Sequence, residues 1–343
     1  HVIRSETRFA GLRRPIKGRD ELIPRMAEVK AACKGVINGP LTHILRFDSE
    51  IGYPVAAEVN DGEVKTHTLR RLDFFSLLHK GPLNTLRNST QKVFAHMQKA
   101  GLASELEIME VYHRFDPENQ DDNLIETRVS FLAWPEIYWQ QLLPVLGPEL
   151  SAEIWAGGEA ITPFTLVDER AAWVAQSLAS LKKNSNPEQQ FDILSRVALV
   201  RPVEDTNKHK QLYAESRDVN AILAAQNEQL KAGPTGGFID PPRFDGKILH
   251  LSKVAANRAA YDQARTQDER RRAYCFCALI SAAQDPQVDP IFCYRAAGWA
   301  RQFWEPILET TFKTCTITHS ILKGDAFCAW DYVLEEGWDQ NMR

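Results

Sequence analysis

Hydrophobic and polar positions follow two different periods along the first part of the chain. Residues 2–16, 42–47 and 53–59 have the composition of β-strands. Between them, apolar residues recur every three or four positions from Leu22 to Cys33, which is the spacing of one helix face. This part of the sequence therefore predicts a strand-helix-strand-strand unit.

The same order of elements then recurs. Residues 65–81 form an extended run, Pro82 opens a helical pattern, and residues 105–115 and 124–132 again have the composition of strands. Two such units can share one sheet with their helices on a common side. The pattern predicts an internally duplicated domain over residues 1–133, with a ligand groove between its two helices.

Helical spacing replaces the strand pattern beyond residue 134. We predict a helical connector over residues 134–186, which ends in a polar, turn-rich stretch, and a mainly α domain over residues 187–343. That domain ends in a Cys-containing β-hairpin. The predicted fold class is therefore α+β, with a duplicated domain followed by a mainly α domain.

The predicted hairpin covers residues 313–338. If Gly324 and Asp325 form a two-residue turn, His319 becomes the neighbour of Trp330 on the buried side. The same register places Cys315 far along the hairpin from Cys328. Because two thiolates around one zinc ion must lie within about 4 Å of each other, we predict no metal, and we also predict no cofactor.

Composition and charge limit the classes of protein to which this chain could belong. The chain has 343 residues, of which 44% are hydrophobic and 25% charged, as in a two-domain globular protein. A formal net charge of -4 gives no electrostatic reason to expect nucleic acid contact by this segment. The sequence has no apolar run long enough to span a membrane, and its six scattered cysteines favour a reducing, cytoplasmic location.

The strand over residues 105–115 carries the main chemical candidate. Alternation places Glu110 on the same face as Ile108 and Tyr112. A carboxylate in such surroundings is poorly solvated and favours a cationic, aromatic ligand, or it acts as a general base. The alternative is a structural Glu at an exposed sheet edge, paired with Arg114 or Arg128.

Two motifs resemble a known family. Residues 77–86, "LLHKGPLNTL", and residues 109–115, "MEVYHRF", together with the order of elements, resemble the GyrI-like effector-binding domain. That domain is the ligand-sensing half of multidrug-responsive MerR-type and some AraC-type regulators. The resemblance implies that Glu110 lies in a ligand cavity with Tyr112 beside it. The family also includes hydrolases of strained-ring toxins, which use a Glu and a Tyr in this cavity.

Four further residues are candidates for the same site. His79 precedes a helix start whose free N–H groups could hold an anion or a ligand carbonyl, or it belongs to an ordinary turn. Tyr53, Trp134 and Trp139 could form aromatic walls of the cavity, although core packing is the commoner role of such residues.

A second, weaker resemblance covers residues 190–338. It depends mainly on "GDAFCAW" at residues 324–330, which is similar to the L-2-amino-thiazoline-4-carboxylic acid hydrolase-like and 4-vinyl reductase-like families. The resemblance implies either hydrolysis of a thiazoline-type ring or ligand sensing.

The sequence thus predicts a cytoplasmic small-molecule-binding protein, such as the effector domain of a transcription regulator, whose Glu110 binds an amphipathic, cationic or aromatic compound. The alternative is a hydrolase of a strained-ring or thiazoline-type compound that uses Glu110 and Tyr112. The oligomeric state is left open, with a homodimer as one option.

Overall fold

The chain divides into two compact units in a computed structural model. They are His1–Glu136 and Ile137–Arg343. The structure describes residues 2–14, 21–45, 49–69, 72–99, 107–130, 134–162, 164–198, 204–231, 242–277 and 279–335. The ends of several predicted elements lie outside these ranges, at residues 15–16, 46–47, 105–106, 131–132 and 336–338. Within the ranges, no helix has both the length and the apolar character needed to cross a membrane.

One antiparallel sheet and two helices form the first unit. Its helices are α1 (Leu22–Ala32) and α2 (Leu86–Lys99), the latter preceded by a 3₁₀ turn at Leu83–Thr85. Its described strands are β1 (Val2–Arg4), β2 (Thr7–Arg13), β3 (Leu41–Leu45), β4 (Glu50–Pro54), β5 (Asn60–Asp61), β6 (Val64–Leu69), β7 (Leu72–Lys80), β8 (Ile108–Arg114) and β9 (Leu124–Ser130). Their order across the sheet is β1-β7-β9-β8-β3-β4-β2-β6-β5.

The strand order confirms the predicted duplication. The elements β2-α1-β3-β4 and β7-α2-β8-β9 are two strand-helix-strand-strand units. Read from opposite sides of the sheet towards its centre, the two units have the orders β2-β4-β3 and β7-β9-β8, so the strand after each helix lies at the centre. The strands β3 and β8 therefore pair directly with each other.

The predicted extended run over residues 65–81 contains two strands. It contains β6, which pairs with β2 in the first half of the sheet, and β7, which pairs with β9 in the second half. The chain crosses from one repeat to the other within this run. Period-two alternation indicates strand conformation but carries no information about the partner strand, so the sequence pattern could not show the division.

The apolar stripes of both helices are buried as predicted. Those of α1 and the start of α2 join one apolar cluster, which also contains Tyr112 and Ile125 of the sheet. The end of α2 joins a second cluster, in which Val93 and Met97 pack with Ile108 and Val129. The two clusters lie on either side of the middle of strands β8 and β9.

The second unit is mainly helical, as predicted, and it also contains a four-stranded sheet. Its helices are α3 (Trp134–Trp155, which contains the unit boundary), α4 (Val167–Asn184), α5 (Pro187–Arg196), α6 (Glu204–Ser216), α7 (Val219–Lys231), α8 (Arg258–Gln263), α9 (Gln267–Tyr274) and α10 (Tyr294–Leu308). Its strands β10 (Arg243–Phe244), β11 (Ile248–Lys253), β12 (Phe312–His319) and β13 (Cys328–Leu334) have the order β10-β11-β13-β12. The predicted connector, residues 134–186, contains α3 and α4.

The C-terminal hairpin is present as β12 and β13, but its predicted register is wrong. Ile317, rather than His319, lies opposite Trp330, and His319 pairs with Ala329. The connection is a 3₁₀ turn at Ile321–Lys323 that Ser320 caps, instead of a two-residue turn. His319 is consequently exposed and stacks on Phe327, with ring centroids 4.6 Å apart.

Candidate functional site

The register of the central strands places a polar row across the middle of the first sheet. Thr127 of β9 lies opposite Glu110 of β8, and Glu110 lies opposite His43 of β3. Directly opposed residues of antiparallel strands point to the same face. Thr127 contacts Thr90 of α2 through their hydroxyls, 3.0 Å apart, so this row faces the helices.

Two apolar rows flank the polar row on the same face. Successive side chains of a strand alternate between faces, so residues two positions away from the polar row lie beside it. On one side the row is Phe75, Val129, Ile108 and Leu45, and on the other it is His79, Ile125, Tyr112 and Leu41. The polar row thus lies between the two apolar clusters of the unit.

Glu110 is the most deeply placed charged group of the row. Only 2% of the Glu110 surface is exposed to solvent. The Tyr112 hydroxyl donates a hydrogen bond of 2.7 Å to its Oε2, and His43 Nδ1 lies 3.1 Å from the same oxygen. The alternative of an exposed edge position paired with an arginine is wrong, because β8 is a central strand and Arg128 bonds Glu126 instead.

A chain of hydrogen bonds extends from Glu110 through His43 to Ser49. His43 Nε2 lies 2.6 Å from Ser49 Oγ, and both residues are buried. When Nδ1–H donates to Glu110, the neutral imidazole accepts the Ser49 proton at Nε2; when protonated, it donates at both nitrogens. The arrangement can therefore hold a proton between an acid and a hydroxyl, or hold an ion pair beside an apolar surface.

Sequence reasoning missed His43 and Ser49. The signal that could have found His43 is the repeat itself, because His43 lies in the strand after the first helix, as Glu110 lies in the strand after the second. If these two strands meet at the centre of the sheet, His43 and Glu110 become candidates for pairing. Ser49 directly precedes β4, and no sequence pattern distinguishes it from other turn serines.

The other predicted site residues have separate surroundings. Tyr53 is buried in the same apolar cluster as Tyr112, and burial raises its pKa. The His79 ring lies 3.0 Å from Ser89 Oγ and 3.3 Å from the Pro82 carbonyl, so it connects the end of β7 to the start of the next helix.

The two predicted tryptophans fall on either side of the unit boundary. Trp134 is buried in the first unit, whereas Trp139 belongs to the second, where it packs on Trp155 at 5.4 Å between ring centroids. The structure thus brings Glu110 and Tyr112 into direct contact and places Tyr53 in the cluster next to them. Ligand-binding roles for Tyr53, His79, Trp134 and Trp139 stay predictions.

The cysteines of the second unit show an arrangement that the sequence did not indicate. Cys293 hydrogen-bonds to Cys328, and the Ile321 N–H lies 3.5 Å from the Cys328 sulfur. These donors lower the pKa of Cys328 to about 7, whereas the Cys293 pKa is raised because its thiol is the donor and is buried.

Cys315 lies opposite Tyr332, four residues along the strand from Cys328, or about 13 Å at ~3.3 Å per residue. Among the described residues, no group of three or more His, Cys, Asp or Glu side chains is placed to hold a metal ion.

No family model and no curated protein matches this chain. Among solved structures, the EcmrR C-terminal domain matches with 17% identity and a TM-score of 0.32, over 38% of this chain and 93% of that chain. SAV2435 bound to tetraphenylphosphonium matches with 12% identity and a TM-score of 0.29, over 38% of this chain and 92% of that chain. A hydrolase from Listeria innocua matches with 15% identity and a TM-score of 0.25, over 37% of this chain and 88% of that chain. Similarities at these TM-scores do not assign a function to this chain.

Proposed function

We propose that the first unit is a small-molecule-binding domain that takes an amphipathic organic cation, with Glu110 as the charge partner, and acts as the ligand-sensing part of a regulator. The observation that carries this proposal is the place of Glu110. It is a buried carboxylate at the centre of the sheet, where the two repeats meet, between two apolar clusters.

The physical argument concerns the cost of burying a charge. A carboxylate removed from water is unfavourable unless donors or a cation compensate, and here the Tyr112 hydroxyl donates a hydrogen bond to Glu110 while the His43 ring lies within hydrogen-bond distance. An organic cation near Glu110 would add a full positive charge in a medium of low dielectric constant. The flanking apolar rows and the Tyr112 ring would contact its hydrophobic part, with a cation–π contribution.

The test is thermal unfolding of the whole chain with tetraphenylphosphonium as the probe. We expect stabilisation that grows with probe concentration, because a ligand that binds only the folded state at 100 times its Kd adds about 2.7 kcal/mol. Glu110→Gln keeps the shape but removes the charge and should weaken binding by at least about tenfold, as expected when a charged partner is lost. The matched control is Glu58→Gln, which neutralises an exposed carboxylate of the same unit.

Tetraphenylborate, which has nearly the same shape and the opposite charge, separates charge recognition from hydrophobic contact. If the anion stabilises the protein as much as the cation does, or if Glu110→Gln binds the cation as well as the wild type, Glu110 is not the charge partner. Mass spectrometry of the recovered compound shows whether it has been changed.

The Ser49–His43–Glu110 chain favours hydrolysis as a second candidate function. A hydroxyl, an imidazole and a carboxylate in this order form the arrangement by which a serine is activated for acyl transfer. Glu110 with Tyr112, acting on a bound water, is the other hydrolytic route.

A fluorophosphonate probe tests the serine route. If Ser49 is an activated nucleophile, peptide mass spectrometry should find the label on Ser49 in the wild type, and the labelling rate should fall by about 10⁴-fold or more in His43→Gln, as when a catalytic base is lost. Ser5, which is exposed, provides the reference rate for an ordinary serine. Equal labelling of the two serines would contradict the serine route. The water route instead predicts that a strained epoxide is consumed by the wild type but not by Glu110→Gln.

A further inference from the structure

The second unit contains a cavity of about 140 Å³ between helix α10 and the face of strands β11 and β13. Aromatic rings form much of its wall, contributed by Phe276, Trp299, Trp330 and Tyr332. The register fixes this geometry in part, because Leu251 of β11, which also lines the cavity, lies directly opposite Trp330.

The polar groups of the wall are mainly hydrogen-bond donors. Lys253 lines the cavity with its ammonium 4.1 Å from the centroid of the Phe276 ring. Arg295 of α10 lines it as well, and it is 5% exposed. Burial lowers the pKa of the Arg295 guanidinium to about 9, which still leaves it positively charged at neutral pH, and a nearby anion would favour that charged form.

The Trp330 indole provides an independent indication. The residue is 4% exposed, and its Nε1–H has no hydrogen-bond partner among the described residues. An unpaired buried donor is uncommon in native structures and is often explained by a missing ligand or water. Here the donor belongs to a residue of the cavity wall.

Charge selects the class of ligand. Two cations line the cavity, and none of the described residues that line it is Asp or Glu. A cationic ligand would be repelled, and a neutral apolar one would leave the indole donor unpaired. An anion rich in acceptors complements all three donors, because a carboxylate accepts hydrogen bonds at two oxygens.

The volume of the cavity and the side chains of its wall indicate the apolar part of the ligand. A cavity of about 150 Å³ lined by apolar side chains holds one benzene ring. The cavity here is of that size, and its aromatic side chains can stack on a planar ring.

We propose that this cavity is a second ligand site, separate from Glu110, which binds a small aromatic monoanion consisting of a single ring with one carboxylate. In this arrangement Lys253, Arg295 and the Trp330 N–H face the carboxylate, and the aromatic residues face the ring.

Isothermal titration calorimetry of the whole chain tests this site with benzoate, benzamide and benzylammonium as probes. We expect benzoate to bind, and we expect benzamide and benzylammonium to bind at least about tenfold more weakly, because a hydrogen bond to a charged group contributes at least that factor. Lys253→Met removes one cation, and Trp330→Phe removes the N–H while keeping a ring. Each should weaken benzoate binding by about tenfold or more.

The control variants separate this site from other effects. Lys323→Met removes an exposed cation of the same unit, and Glu110→Gln alters only the site of the proposed function, so both should bind benzoate as the wild type does. Circular dichroism confirms that each variant is folded. Benzamide binding equal to benzoate binding, an equal loss in Lys323→Met, or no heat with benzoate at millimolar concentrations would each overturn the proposal.

Discussion

Replacing Gly298 with alanine should destabilise the second unit by about 3 kcal/mol or more, at the upper end of the cost of overpacking a core. Gly298 is on α10 where that helix crosses α5, and a Cβ at this position would overlap the Ser195 carbonyl of α5. The atom it would meet belongs to the backbone and cannot rotate away. Chemical denaturation followed by far-ultraviolet circular dichroism measures the change in the free energy of unfolding.

The neighbouring contacts explain why α5 cannot move aside. Arg301, one turn further along α10, is 4% exposed and donates a hydrogen bond of 2.6 Å to Ser195 Oγ. Its guanidinium also lies 4.9 Å from the centroid of the Phe191 ring of α5. The control is Lys183→Ala at an exposed position of α4 in the same unit, which should change stability by no more than about 0.5 kcal/mol. A loss below about 1 kcal/mol in Gly298→Ala would show that the two helices separate easily.

Local periodicity explains what could be predicted of the fold. The stripe from Leu22 to Cys33 and the one from Leu83 to Met97 are buried because apolar residues three and four positions apart share a helix face. The duplication followed from the order of such patterns. The division of residues 65–81 into β6 and β7 did not, since it depends on partners that are distant in sequence.

In the candidate site, too, local periodicity predicts contacts within one strand but not contacts between strands. Glu110 and Tyr112 were found together because residues two apart on a strand share a face, and their side chains are in contact. His43 joins them only because β3 and β8 pair in one particular register, and a shift of one residue would turn His43 to the opposite face. The cavity and the Trp330 donor in its wall depend on packing of α10 against a sheet, which no local pattern encodes.

The predicted register of the C-terminal hairpin is wrong because of hydrogen bonds made by residues of the connection itself. A Gly-Asp pair is a good two-residue turn in isolation. Here Ser320 Oγ accepts the Leu322 N–H, and Asp325 accepts the Ser320 N–H, so the side chains stabilise a longer 3₁₀ connection. These local hydrogen bonds outweigh the tighter turn and shift the register of the whole hairpin.

Arg4→Met should cost the first unit about 3–5 kcal/mol, which is the usual loss when one partner of a buried ion pair is removed. Arg4 Nη1 lies 2.7 Å from Glu107 Oε1, with the two side chains 6% and 0% exposed. Methionine fills much of the arginine stem but leaves the Glu107 carboxylate buried without its cation. The free energy of unfolding from urea titration measures the loss.

The dependence on pH and on the partner distinguishes a lost charge from lost packing. Protonation neutralises the stranded carboxylate, so the deficit of Arg4→Met relative to the wild type should shrink as pH falls and grow as pH rises. The double variant Arg4→Met/Glu107→Gln should recover most of the stability, because no uncompensated charge remains. Arg14→Met breaks an exposed pair with Glu63 and should cost at most about 1 kcal/mol. The Arg4 guanidinium carbon also lies 5.6 Å from the centroid of the Phe74 ring. If the stability deficit of Arg4→Met is constant with pH and is not recovered in the double variant, Arg4 stabilises the unit by packing on Phe74 and not by its charge.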